Sequence, residues 1–419
     1  MKNLAHFAHF LKSFSGLFSK PTYSTFKNTV ESMVKLSDYT QADLASFSGK
    51  TLRQIQYFFS ESIWCHKQLN QARLNWLRNR KLFRDRVTDD LILDGSVVKK
   101  DKDAKFSGLA CFMYSNLAKE VVNGLMILGT SVRTKEGRCY LLDVKLFLKG
   151  EWKSEWEAWM SFANRVAKMA KGRLWILDRG FRNQYFLAHI LSLKRLFLVR
   201  VSLSLNVLLA VKSGQVKPIK KRRYGRQKHF PNRKLASAKK WIAGHRPISC
   251  ENGKLWIIPH AIVNAWRTEI KTECTVIVFH RNGFRHPLLL VYSNSEVNTE
   301  KALELVGRYI GRWSIETLFK EAKSWFCLSD FRITSLTGIY RFLHMAIFTH
   351  SLLTVLLKTL QTSSLISKLI AFVLQRSRNI YECMIIGLKL FYESVLSICL
   401  TPPKWLNLKQ KRTLIRYFL

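Results

Sequence analysis

The chain has 419 residues, 47% apolar and 12% aromatic, which suffices for two or three domains with buried cores and excludes a disordered tail. Its 69 Lys and Arg against 28 Asp and Glu leave a formal charge of +41, which repels itself unless a polyanion neutralises it, and nucleic acid is the commonest such partner. The apolar stretches 342–360 and 380–400 are interrupted by His344, His350, Lys358, Glu382, Lys389 and Glu393, so no membrane span is expected, and the eight scattered cysteines lack any Cys-x-x-Cys pair for a zinc finger.

Residues 1–86 read as helical, and His6 and His9 in the apolar N-terminus argue against a signal peptide. The run Thr40 to Gly49 followed by Lys50 to Tyr57 has the outline of a helix-turn-helix, which would direct Lys50, Arg53 and Gln54 at a DNA groove. A helical hairpin that never touches DNA has the same outline. Strand-like segments follow at 91–98, 109–114, 121–132 and 139–148, with Asn123-Gly124 and Glu136-Gly137 as turn signals. Next come a helix over 155–170, a short apolar strand over 174–177 that ends at Asp178-Arg179-Gly180-Phe181, another helix, and a strand over 196–201.

Residues 205–286 break this rhythm. The run 212–240 holds 12 Lys or Arg and no acid, and Lys220, Lys221, Arg222, Arg223, Arg226 and Lys228 mix with Tyr224, His229 and Phe230 as nucleic-acid contacts often do. A flexible basic loop has the same composition. Strand-like pieces at 255–258 and 274–279 follow, then a strand over 287–292, a long helix over 299–326, and helices to the end. The expected architecture is mixed α/β: a core sheet flanked by helices over 87–204 and 287–345, interrupted by a basic, β-rich insertion over 205–286. A helical DNA-binding region (1–86) and a helical C-terminal region (346–419) that could dimerise flank it.

Three carboxylates stand out. On a continuous helix, Tyr309, Arg312, Glu316 and Lys323 fall on one stripe about 60° wide, with Lys320 at its edge. Arg312 four residues before Glu316 and Lys320 four after would keep it ionised, as a metal ligand must be. The same spacing describes an ordinary solvated face with i,i+4 ion pairs. Asp94 sits inside an apolar strand, where a carboxylate is costly unless it meets water or a cation; an outward-facing edge position is the plain alternative. Asp178 ends the strand 174–177, where ligand sites of open sheets gather, although Asp-x-Gly is also a common turn.

Taken together, the order Asp94, Asp178, Glu316 on a first strand, a later strand end and a helix after an insertion resembles the ribonuclease-H-like DDE transposases. The run Tyr309-x-x-Arg312-x-x-x-Glu316, completed by Lys323, is similar to the Y-R-E-K signature of a group of bacterial insertion-sequence transposases. Asp94-Gly95-Ser96, Asp178-Arg179-Gly180-Phe181, Trp313, Ile315, Phe319 and Lys320 add to the resemblance, which covers residues 90–345. It implies that Asp94, Asp178 and Glu316 are catalytic and hold two Mg²⁺ (or Mn²⁺) ions for cleavage of transposon ends and strand transfer. It further implies that Tyr309, Arg312, Lys320 and Lys323 grip phosphates, and that Trp241, Trp256 or Trp266 of the insertion could support a flipped base. Double-stranded DNA is the implied partner, with a homodimer joining two ends in a bacterial, nucleoid-associated cytoplasmic setting. An inactive transposase-derived DNA-binding protein and another ribonuclease-H-like nuclease are the alternatives.

Overall fold

A computed structural model describes residues 10–36, 40–79, 86–100, 111–115, 120–134, 139–148, 150–210, 233–316, 318–319 and 333–361. The lysines and arginines of 220–228, Lys320, Lys323, and nearly all of the C-terminal region expected to dimerise lie outside these residues.

The N-terminal region is helical, as read: α1 (Lys20–Lys35), α2 (Gln41–Ser48), α3 (Leu52–Ser60) and α4 (His66–Asn79). Two reciprocal caps fix the α2–α3 hairpin. Thr40 and Asp43 exchange hydrogen bonds at the start of α2, and Thr51 and Gln54 do the same at the start of α3. Between them Gly49 adopts φ +65°, a left-handed conformation that glycine takes without a steric penalty.

The sheet begins with β1 (Asp90–Lys99), β2 (Cys111–Ser115), β3 (Glu120–Arg133) and β4 (Cys139–Phe147). Asn123-Gly124 is not a turn. It lies inside β3, where a Cβ on Gly124 would stand 2.6 Å from the Val98 carbonyl oxygen, so a close backbone approach explains the glycine. Then follow α5 (Glu155–Met169), β5 (Leu174–Leu177), α6 (Gln184–Ser192), β6 (Leu196–Arg200), β7 (Asn206–Ala210), β8 (Arg233–Ser237) and α7 (Ala238–Ala243). The remaining strands are β9 (Ile248–Cys250), β10 (Gly253–Val263), β11 (Cys274–Arg281) and β12 (Leu288–Tyr292), followed by α8 (Thr299–Ile310) and α9 (Leu336–Gln361).

Strands β1, β5 and β6 are parallel, β3 runs antiparallel to β1, and β4 antiparallel to β3. That mixed order, β4-β3-β1-β5-β6 with helices on both faces, is the ribonuclease-H-like arrangement expected. The sheet does not stop at β6. Strand β12 pairs antiparallel with β6, and β11, β10, β7 and β8 continue outward, so the strands between 205 and 286 extend the same sheet.

Alternation along the strands divides the core. Ile92, Ile176, Leu198 and Leu290 pack on one face with residues of α1–α3, α8 and α9. Leu91, Leu93, Trp175, Leu177, Phe197 and Val199 pack on the other with Trp159 and Phe162 of α5 and Phe186 of α6. Among the described residues, no helix is long and apolar enough to cross a membrane.

The long helix expected over 299–326 is interrupted. Helix α8 ends at Ile310, Gly311 and Arg312 form a turn, and residues 313–316 are helical again. Gly311 keeps a right-handed conformation (φ −61°, ψ −11°), and Arg312, Ser314 and Ile315 donate to carbonyls three residues back. The turn is therefore tightened towards 3-10 geometry without losing direction. The physical reason stands opposite Gly311: a Cβ there would lie 2.3 Å from the guanidinium carbon of Arg133.

Candidate active site

The period-two alternation of β1 turns Asp90, Ile92 and Asp94 to one face, and that of β5 turns Leu174, Ile176 and the following Asp178 to the same face. The parallel register pairs Leu93 with Leu177, so the next residues, Asp94 and Asp178, stand beside each other on neighbouring strands, about 4.8 Å apart along the sheet. Asp178 has just left its strand and opens a 3-10 turn, Arg179–Phe181. Both aspartates face the layer that holds Tyr309, Ile315, Leu318 and Phe319.

Two contacts seat the third carboxylate in that layer. Arg308 of α8 makes a bidentate salt bridge to Asp90 and donates to the Thr88 carbonyl at 3.1 Å, while Arg133 approaches Asp90 to 3.7 Å. Asp90 is buried, so α8 is pinned to the beginning of β1. Beyond the turn, the Phe319 ring lies over Gly129, the residue paired with Asp94 across β3; a Cβ on Gly129 would be 2.3 Å from the ring. Glu316 lies one helical turn before Phe319 and is thereby held over Asp94 and Asp178.

The three carboxylates surround one guanidinium. Arg312 Nη2 hydrogen-bonds Glu316 Oε1 and lies 3.8 Å from Asp178 Oδ1, while Nη1 lies 3.6 Å from Asp94 Oδ2. The Arg312 side chain is 4% exposed, against 21%, 38% and 44% for Asp94, Asp178 and Glu316, so the cation is inside and the acids open to solvent. The Tyr309 hydroxyl donates to Asp178 Oδ1 at 3.1 Å, and the Gly95 amide donates to Asp94 Oδ1 at 2.8 Å.

Burial pushes the Asp94 carboxyl up to about 6; Arg312 and the Gly95 amide oppose this, and the charges of Glu316 and Asp178 add to it. Burial pulls the Arg312 guanidinium down, but Asp178, Tyr309, Glu316 and Asp94 outweigh it and hold it firmly charged. The Tyr309 phenol is raised by burial and then by the Asp178 carboxylate, so it remains a donor. Three carboxylates offer the hard oxygen donors that Mg²⁺ or Mn²⁺ takes. They are arranged around Arg312, however, and among the described residues no three His, Cys, Asp or Glu side chains stand close enough to hold one ion.

The other candidates are more dispersed. Arg53 is exposed and Lys50 half-buried on the α2–α3 hairpin, whereas Gln54, expected to face DNA, is occupied in the Thr51 cap. Trp266 is buried at 4% against Phe197, which removes it as a support for a flipped base. Trp241 stacks on His245 with ring centroids 3.9 Å apart, and Trp256 donates to the His245 carbonyl. The sequence reading did not single out Asp90, Arg308, Arg133, Gly129 or Phe319. Arg308, one turn before Arg312, carried a signal: Asp90 and Asp94 on β1 each meet an arginine four residues apart on the chain leaving α8.

Comparison with known proteins bears on this geometry. No curated protein matches the chain. A structural neighbour, "Crystal structure of the NurA nuclease from Sulfolobus solfataricus", is 12% identical, covers 57% of this chain and 81% of its own, and has a TM-score of 0.27, too low to carry an argument. The family described as "Transposase DDE domain" matches residues 155–352, a span that includes Asp178, Tyr309, Arg312 and Glu316 and begins after Asp94. Over that span the chain is similar to the DDE domain of transposases.

Proposed function

We propose that this protein is a DDE transposase of the cut-and-paste type, which cleaves transposon ends and joins them to target DNA. The observation that carries the proposal is the convergence of Asp94, Asp178 and Glu316, from two adjacent parallel strands and the turn after α8, on a single face of the sheet. In this reading the three carboxylates are the ligands of Mg²⁺ or Mn²⁺. Bound there, two such ions would supply Lewis acidity and an activated water or hydroxyl. Water attacks the phosphodiester at a transposon end and releases a 3′-hydroxyl, which then displaces a phosphodiester of target DNA. Tyr309 orients Asp178, and the Gly95 amide orients Asp94.

The charge of +41 supports a polyanionic partner, double-stranded DNA. Lys320, Lys323 and the basic residues Lys220, Lys221, Arg222, Arg223, Arg226 and Lys228 are proposed phosphate contacts, with Lys50 and Arg53 as contacts of the helical N-terminal region. Two copies joined on DNA, held by the region after residue 346, would bring two ends together. The test is cleavage of DNA carrying the element's terminal repeats with Mg²⁺ or Mn²⁺, comparing the protein with Glu316→Gln. Loss of cleavage with DNA binding retained is expected. Equal cleavage by both removes Glu316 from the mechanism, and binding without cleavage by either points to a DNA-binding relic.

A further inference from the structure

Arg312 is the side chain of this site whose position a phosphate-gripping role does not explain. Its guanidinium is buried, turned away from solvent and set among all three carboxylates. Its Nε and Nη1 have no hydrogen-bond partner, an arrangement that costs free energy for a buried charged donor. Charge attraction, rather than a closed set of hydrogen bonds, therefore holds it. Three carboxylates and one guanidinium leave a local charge of about −2, so the site is neutralised only in part. The guanidinium also spans the space that a cation bridging the same oxygens would occupy.

We propose that Arg312 is a resident counter-ion that keeps Asp94, Asp178 and Glu316 together before metal arrives, and that divalent cations enter by displacing its guanidinium from among them. The inference rests on the transposase reading, because it takes those carboxylates as the metal ligands. A guanidinium and a dication repel each other at contact distance in a site of low dielectric, so both cannot occupy the centre. Exchange leaves the oxygens in place and swaps the cation between them. The displaced Arg312 remains next to the reacting groups, where a phosphodiester is the available anion. A fixed prop behaves in the opposite way: removing it would splay the carboxylates and weaken metal binding.

The sign of the change in Mn²⁺ affinity separates the two cases. Mn²⁺ binding to the full-length protein without DNA is measured by electron paramagnetic resonance of the free ion, for wild type, Arg312→Gln, Arg312→Lys and Glu316→Gln. Arg312→Gln is expected to bind Mn²⁺ about tenfold more tightly or better, since a competing positive charge has been removed. Arg312→Lys should stay near wild type, and Glu316→Gln should bind more weakly. Thermal unfolding supplies a second readout: metal-free Arg312→Gln should melt below wild type and gain more from millimolar Mn²⁺ than wild type does.

Equal or weaker Mn²⁺ binding by folded Arg312→Gln, with wild-type binding still dependent on Glu316, overturns the counter-ion role and leaves the transposase reading intact. No Mn²⁺ binding by any of the proteins overturns both. If Arg312→Gln folds only with Mn²⁺ present, exchange is supported. If Arg312→Gln and Arg312→Lys fail to fold with and without Mn²⁺, Arg312 is a fixed prop and the inference is wrong.

Discussion

The seat of Phe319 on Gly129 makes the position of Glu316 sensitive to a single methyl group. In Gly129→Ala the new Cβ would stand 2.3 Å from the ring tip and 3.1 and 3.3 Å from the adjoining ring carbons, whereas ordinary contact begins at 3.4 Å. The ring must retreat by about 1 Å. Phe319 is 6% exposed and packed in the core with Tyr309, Ile315 and Leu318, so it has no free space into which to rotate. The shift therefore passes to the backbone of residues 313–319 and to Glu316. Overpacking of this kind costs about 1–3 kcal/mol of stability, and a displacement of about 1 Å at a catalytic group can cost about a hundredfold in rate. Terminal-repeat cleavage and urea denaturation of Gly129→Ala measure the two effects, and Gly129→Ala with Phe319→Leu should recover part of both because the smaller side chain relieves the clash. Wild-type cleavage and stability in Gly129→Ala would refute the argument that this contact seats Glu316.

Two further outcomes follow from the charged groups around the site. Arg308→Met should destabilise the protein by about 3 kcal/mol, because it leaves the buried Asp90 carboxylate with Arg133 alone at 3.7 Å; the double variant with Asp90→Asn should lose less, and additive losses in urea denaturation would contradict the pairing. His66 of α4 stacks on Tyr340 and His344 of α9, and burial, with Lys67, Arg341 and Arg165 nearby, lowers it to about 4 from 6.5. The unfolded chain then takes up the proton first. Its contribution is fully present above pH 6.5 and is lost as pH falls from 6.5 towards 4, amounting to about 2 kcal/mol after allowing for solvent near the ring. Chemical denaturation across that window should show the loss in wild type and a smaller one in His66→Gln; identical pH profiles would rule out this role.

Much of the candidate site was legible because the relevant periods are short. Alternation over 91–98 and 174–177 identified strands, and two-residue periodicity is enough to say which side chains share a face. Residue spacing from Tyr309 to Glu316 likewise marked a common helical side, even though Gly311 and Arg312 form a turn. Gln54 and Trp266 show where such reading ends. The polar face of α3 contains Gln54, yet its amide closes a cap with Thr51, a local competition that periodicity does not register. Trp266 sits in a loop-like segment of the sequence but is buried against Phe197, because β7 and β10 bring that segment back onto the sheet.

From the sequence alone came the identities of the three acids, the elements that carry them, and the charge that calls for a polyanion. Their convergence depended on the register that sets Leu93 against Leu177, on Arg308 reaching Asp90 and on Phe319 filling the space above Gly129. These are contacts between residues far apart in the chain, fixed by strand pairing and core packing rather than by local propensity. Only the tertiary structure revealed that Arg312, read as a surface phosphate contact, lies buried among the carboxylates. Helical spacing sets the side of an element on which a residue stands, and packing decides whether that side meets solvent or another part of the chain.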